Sequence, residues 1–164
     1  MAIEHTIYLR EVYGVDRAVE RILTPEIQAA YARTLLVVAG ADGLSPAERD
    51  YFVAWQRASG HPAELVSAME GFDFEAADVK DTVNAFKALA LATGHHASGL
   101  IRGLLYDAVR ISSIDGRYSA KERAVLRHVA TLLEVDDAMV ASLEGLVEIE
   151  SAARHMRLRL FGRA

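Results

Sequence analysis

The sequence predicts an all-α protein, and three observations carry that reading. Apolar residues recur at spacings of three and four along nearly the whole chain, as in Ile27, Tyr31, Leu35 and Val38. Helix start signals precede these runs, and glycine follows several of them. No segment alternates apolar and polar residues for long enough to build a sheet; His5 to Tyr8 comes nearest and is too short. With 164 residues and 52% apolar content, the expectation is a single-domain bundle of about seven helices spanning 1–164 around one core.

Val15 to Leu23 is a short candidate helix. Thr24-Pro25-Glu26 supplies a capping hydroxyl, a proline at the first helical position and an acid in the first turn, and opens a helix to about Gly40. Ser45-Pro46-Ala47-Glu48 is a capping box for a helix that buries Tyr51 or Phe52, and Trp55, and stops at Gly60. Pro62 to Glu70 follows, ended by Gly71, and Asp73 or Asp78 then starts a helix through Val83, Phe86, Leu89 and Ala90 to Gly94. The next runs from Ala97 to Ser112, where Gly99 and Gly103 suggest close approach of another helix. Ser119-Ala120-Lys121-Glu122 is a second capping box, before Val125, Leu126, Val129 and Leu132. Asp136 caps the last helix, which carries Met139, Leu143, Leu146, Val147 and Ile149 toward Phe161.

One phrase occurs twice. Ala41-Asp42-Gly43-Leu44-Ser45-Pro46-Ala47-Glu48-Arg49 returns as Ile114-Asp115-Gly116-Arg117-Tyr118-Ser119-Ala120-Lys121-Glu122-Arg123, with one extra residue in the second loop. The repeat predicts two pseudo-symmetric halves, at about 24–94 and 97–161. Helix capping explains every residue of the phrase: Gly43 and Gly116 take positive φ, Ser45 and Ser119 cap, Glu48 and Glu122 reach back, and Asp42 and Asp115 form turns. A divalent cation site is the functional reading. Calcium takes 6–8 oxygen ligands, more than one turn supplies. Two turns facing each other would bring Asp42, Glu48, Asp115 and Glu122 together, the aspartates being the first candidates.

The chain carries no cysteine, which excludes disulfides and thiolate chemistry. Met1 to Arg10 lacks the apolar core of a signal peptide, and the densest apolar run, Leu35 to Ala41, falls far short of the roughly 20 residues that span a bilayer. A soluble, cytoplasmic protein is expected. Net charge is −5, and the four arginines of 151–164, with no acid among them, leave residues 1–150 at −9. So acidic a body argues against nucleic acid as a partner.

The duplicated phrase in this all-helical setting resembles the tellurite-resistance TerB-like family, on Ala41-Asp42-Gly43-Ser45-Glu48 and Ile114-Asp115-Gly116-Ser119-Glu122. The resemblance covers about residues 20–150 and extends to the TerB-like domain found before some membrane-anchored J-domain proteins. It implies a duplicated helical fold whose acidic residues bind a divalent metal. It also implies a role in stress response or tellurite resistance, within protein complexes at the inner face of the membrane. Tyr118, the extra loop residue, and the His95-His96 pair depart from the family pattern.

No catalytic constellation is present. His5, His61, His128 and His155 form no zinc-type spacing, and no Glu-x-x-His or phosphate-cradling glycine loop occurs. The protein is therefore read as a non-enzymatic cation-binding or protein-interaction module, with calcium as the first candidate ion and no organic cofactor. A scaffold with purely structural turns is one alternative, and a small-ligand binder or enzyme with a cleft near His95 and His96 is another. The tail from Arg154 to Phe161 reads as a helix end with Leu158 and Phe161 packed and its arginines paired to the acidic body. Peripheral contact with an anionic membrane is the alternative.

Overall fold

A computed structural model describes residues 23–162; the candidate helix from Val15 and the stretch His5 to Tyr8 lie outside the described residues. Among the described residues seven α-helices follow in order: α1 Pro25–Ala39, α2 Pro46–Ala58, α3 Ala63–Glu70, α4 Val79–Ala92, α5 Ala97–Ser112, α6 Ala120–Leu132 and α7 Asp137–Phe161. A single 3-10 turn, Gly94–His96, joins α4 to α5. The described residues contain no strand.

The caps begin where the sequence places them. Thr24, Ser45, Asp78, Ser119 and Asp136 each accept from the backbone N–H three residues on, satisfying a donor the helix leaves free. Asp78, rather than Asp73, opens α4.

The core is built around α1 and α5. Ten of the fifteen residues of α1 are buried and eleven of the sixteen in α5, so both are covered on nearly every side, as helices apolar all round must be. α1 packs on α4 and α5, and α5 also packs on α6 and α7. Tyr31 of α1 stacks on Trp55 at 5.7 Å between centroids and meets the edge of Phe86 at 5.6 Å. Phe52, the buried choice over Tyr51, lies against Trp55. The ring of Phe74 occupies the space a Cβ on Gly40 would need, so the end of α1 must be glycine.

The same local geometry occurs at both acidic turns. Gly43 N donates to Gly40 O and Gly116 N to Ser113 O, each at 3.1 Å, and both glycines have positive φ, +97° and +84°. The far ends of α2 and α6 also match, His61 N donating to Gln56 O and Val135 N to Ala130 O. There Gly60 has φ 74° and Glu134 has φ 60°. A glutamate in this left-handed conformation costs about 1–2 kcal/mol. Lys87 of α4 offsets it, donating to both Glu134 Oε1 and Leu132 O at 2.8 Å.

Three packing expectations are corrected. A Cβ on Gly99 would meet nothing within 4 Å, so this residue faces outward and mediates no helix approach. Leu158 and Phe161 are not packed; they are 56% and 82% exposed. At 1.5 Å per residue the 25-residue α7 is roughly 13 Å longer than the 16-residue α5 it lies on, so part of it extends beyond α5. Nor do Arg154, Arg157 and Arg159 form ion pairs with the acidic body among the described residues. Leu146 and Ile149 are also exposed, because Val140, Leu143 and Val147 take the opposite, inward face.

Candidate functional site

The two capping boxes position two buried glutamates. Ser45 N donates to Glu48 Oε2 and Ser119 N to Glu122 Oε2, each at 2.7 Å, while each serine hydroxyl accepts from its glutamate's own N–H. The helices pack crosswise: α2, which carries Glu48, lies on α5, and α6, which carries Glu122, lies on α1. Glu48 and Glu122 are 4% and 1% exposed, and the charge of Glu48 reaches Glu122.

Glu122 lies in surroundings that disfavour its charged form. Burial pushes its carboxyl above the ordinary carboxylate value, and the nearby charge of Glu48 pushes the same way. The Ser119 hydrogen bonds and the Ser112 hydroxyl act in the opposite direction without cancelling the rise. Glu122 Oε1 and Ser112 Oγ are both buried and lack a hydrogen bond of good geometry. The site thus holds two buried carboxyl groups beside a buried hydroxyl.

The aspartates lie elsewhere. Asp42 and Asp115 are exposed at the turns, and Asp115 Oδ1 accepts from Arg117 N at 2.8 Å as a turn former. Among the described residues no three His, Asp or Glu side chains are gathered closely enough to hold a metal. The structure thus buries Glu48 and Glu122 within electrostatic reach of each other and leaves Asp42 and Asp115 exposed.

The additional loop residue gives the second turn different surroundings. Tyr118 is half-buried, with the guanidinium of Arg123 4.2 Å from its ring centroid. Burial raises its hydroxyl pKa, and the charge of Glu144 on α7 raises it further. Arg123 and Arg127 both pair with Glu144, at 3.6 and 3.3 Å, which ties α6 to α7.

A second polar cluster was not foreseen from the sequence. Asp107 in the middle of α5 is 1% exposed, and its Oδ2 accepts from Tyr31 Oη at 2.9 Å. Arg110 lies 4.0 Å from Asp107 and 3.9 Å from Glu150 of α7, and Tyr106 donates to Glu150 at 2.7 Å. The signal was present: Asp107 is the one acid in the apolar run from Leu104 to Ile111, with an arginine three residues on. His95 and His96 sit in the 3-10 turn with ring centroids 3.8 Å apart. An open cavity of about 350 Å³ lies beside α3, lined by Arg57, His61, Ala63, Val66, Ser67 and Glu70.

A pH dependence follows from Glu122. A carboxyl whose pKa is higher in the folded than the unfolded chain favours folding while protonated. Its contribution is complete below the unfolded value, near 4.5, and is lost as pH rises through the raised folded value. Glu122→Gln keeps an oxygen to accept from Ser119 N but cannot ionise. Urea unfolding from pH 4.5 to 8 should therefore show the variant gaining on the natural protein as pH rises. A difference that is flat across this range would mean Glu122 titrates as an ordinary exposed acid.

Residues 28–144 match the family model described as Tellurite resistance protein TerB, a span that includes both acidic turns and both capping boxes. The chain also resembles the crystal structure of a tellurite resistance protein from Nostoc punctiforme PCC 73102, with a TM-score of 0.75 and 23% identity. That alignment covers 100% of this chain and 98% of the other, and at such identity the likeness is one of fold. No curated protein matches. The family match spans well over half of the sequence, and the chain belongs to the TerB family of tellurite resistance proteins.

Proposed function

We propose that the protein is a non-enzymatic module that binds a divalent cation between its two capping boxes and serves in a tellurite-resistance or stress-response complex. The observation that carries this reading is the buried Glu48 and Glu122 pair, set beside the buried hydroxyl of Ser112. Two carboxylates taken from water and set near each other are costly unless something neutralises them. A cation does so, with Glu122 Oε1 and Ser112 Oγ as donors. Calcium suits the all-oxygen donor set. Two glutamates and one hydroxyl fall short of its 6–8 ligands, so water completes the shell, with Asp42 and Asp115 adding negative potential at the rim. No helix among the described residues is long and apolar enough to cross a membrane. A cytoplasmic role, contacting protein partners, is part of the proposal.

Thermal unfolding of metal-stripped protein tests the reading against calcium, magnesium, manganese and zinc. A ligand bound only by the folded chain adds about 2.7 kcal/mol at one hundred times its dissociation constant, so the midpoint should climb with calcium concentration. Glu122→Gln, which keeps the capping bond, should abolish the climb. Asp42→Asn with Asp115→Asn should weaken it and leave helicity unchanged. A midpoint unmoved by any of the four ions up to millimolar levels would leave the glutamates as helix caps alone.

A further inference from the structure

The last helix is apolar on two opposite faces. Val140, Leu143 and Val147 pack inward with the side chain of Glu144. Leu146, Ile149, Ala153, Met156 and Leu160 lie on the outward face at alternating spacings of three and four, the a/d repeat of a coiled-coil seam. Four of these are widely exposed: Leu146 44%, Ile149 69%, Met156 63% and Leu160 70%. Soluble monomers seldom leave so continuous an apolar stripe in water.

The charges of α7 say what fits it. Residues 137–150 contain Asp137, Glu144, Glu148 and Glu150 and no base, and residues 151–161 contain Arg154, Arg157 and Arg159 and no acid. The helix dipole favours this order only within the first and last turns, and Glu148, Glu150 and Arg154 lie further in. Glu144 is engaged by Arg123 and Arg127, whereas Glu148, Arg157 and Arg159 form no ion pair among the described residues. A helix acidic along one half and basic along the other complements a second copy of itself run the opposite way. A parallel copy would set like charges side by side.

We propose that the outward face of α7 is a self-association surface, on which a second copy of the chain packs antiparallel through the same stripe. In heptad register, Leu146 faces the partner's Met156 and Ile149 faces the partner's Ala153. Glu150 then lies opposite the partner's Arg157 on one flank, while Glu148 and the partner's Arg159 share the other. The two-fold axis passes level with Ser151, so Ala152 lies beside the partner's Ala152. The bodies sit on the outer sides of the helix pair, since the stripe is opposite the face that packs on α5. This pairing is independent of cation binding, because α7 supplies neither Glu48 nor Glu122.

Sedimentation of the full chain at micromolar to millimolar concentration tests the proposal. The expected result is reversible passage from one chain of 17.9 kDa to a species of twice that mass. Ile149→Glu with Met156→Glu, both at exposed positions, should weaken dimerisation at least about tenfold while circular dichroism stays unchanged. Orientation is read by crosslinking, which the absence of native cysteine makes clean. Ala152→Cys should oxidise to a disulfide-linked dimer, and Leu160→Cys, far from its own copy in this register, should not. A chain that stays monomeric throughout overturns the proposal, and this is also the result expected if the stripe serves a membrane or another protein. So does a dimer indifferent to the double substitution, or one linked through position 160 and not 152.

Discussion

Phe86→Ala should lower the stability of the protein by about 3–5 kcal/mol, the range for removing a fully buried phenylalanine whose site cannot collapse. Phe86 is wholly buried on α4 and holds the edge-on contact with Tyr31 that seats α4 against the central α1. Tyr31 is itself fixed on two other sides, by stacking on Trp55 and by its hydrogen bond to Asp107, so it cannot tilt to fill the space. Against a total of about 5–15 kcal/mol for a domain, such a loss removes a large share of the margin. Urea unfolding followed by circular dichroism measures it. A loss below about 1.5 kcal/mol, the scale of a tolerated volume-conserving swap, would mean that the Tyr31 contact does not anchor α4.

Arg110→Ala should cost about 3 kcal/mol, for a different reason. Its guanidinium stands between Asp107 and Glu150 and lies 5.2 Å from the ring centroid of Tyr106. Removing one partner of a buried charge pair leaves the other charge uncompensated, at about 3–5 kcal/mol, and the lower end applies because Arg110 is 20% exposed. Adding Asp107→Asn removes the stranded charge while retaining an oxygen for the Tyr31 hydroxyl. The double variant should therefore be more stable than Arg110→Ala alone. Equal stabilities would show that Asp107 does not depend on Arg110.

These residues also mark how far the sequence could be read. The caps were legible because capping is local: Thr24-Pro25, the two Ser-x-x-Glu boxes and Asp136 contain both partners within four residues. The apolar spacing of α1, and the ends of α5 at Ala97 and Ser112, were legible for the same reason. The Asp107 cluster was not, since Tyr31 lies 76 residues away and only packing shows that α1 and α5 meet there. Within the acidic turns the sequence ranked the aspartates above the glutamates. The reverse holds for burial, because the capping role draws Glu48 and Glu122 inward while Asp42 and Asp115 occupy exposed turn positions. On α7, apolar residues on both faces satisfied the helical period, which does not say which face meets the body.

Capping and the proposed cation binding fall on the same two glutamates, so the decisive experiment separates the two roles. Calcium binding to metal-stripped protein should be measured by calorimetry for the natural chain, Glu48→Gln and Glu122→Gln. Glutamine preserves the oxygen each capping box requires and removes the charge. The account predicts one calcium per chain, lost in either variant while the folded helicity of both is retained. Heat of binding that persists unchanged in both variants, or no binding by the natural chain up to millimolar calcium, would contradict it.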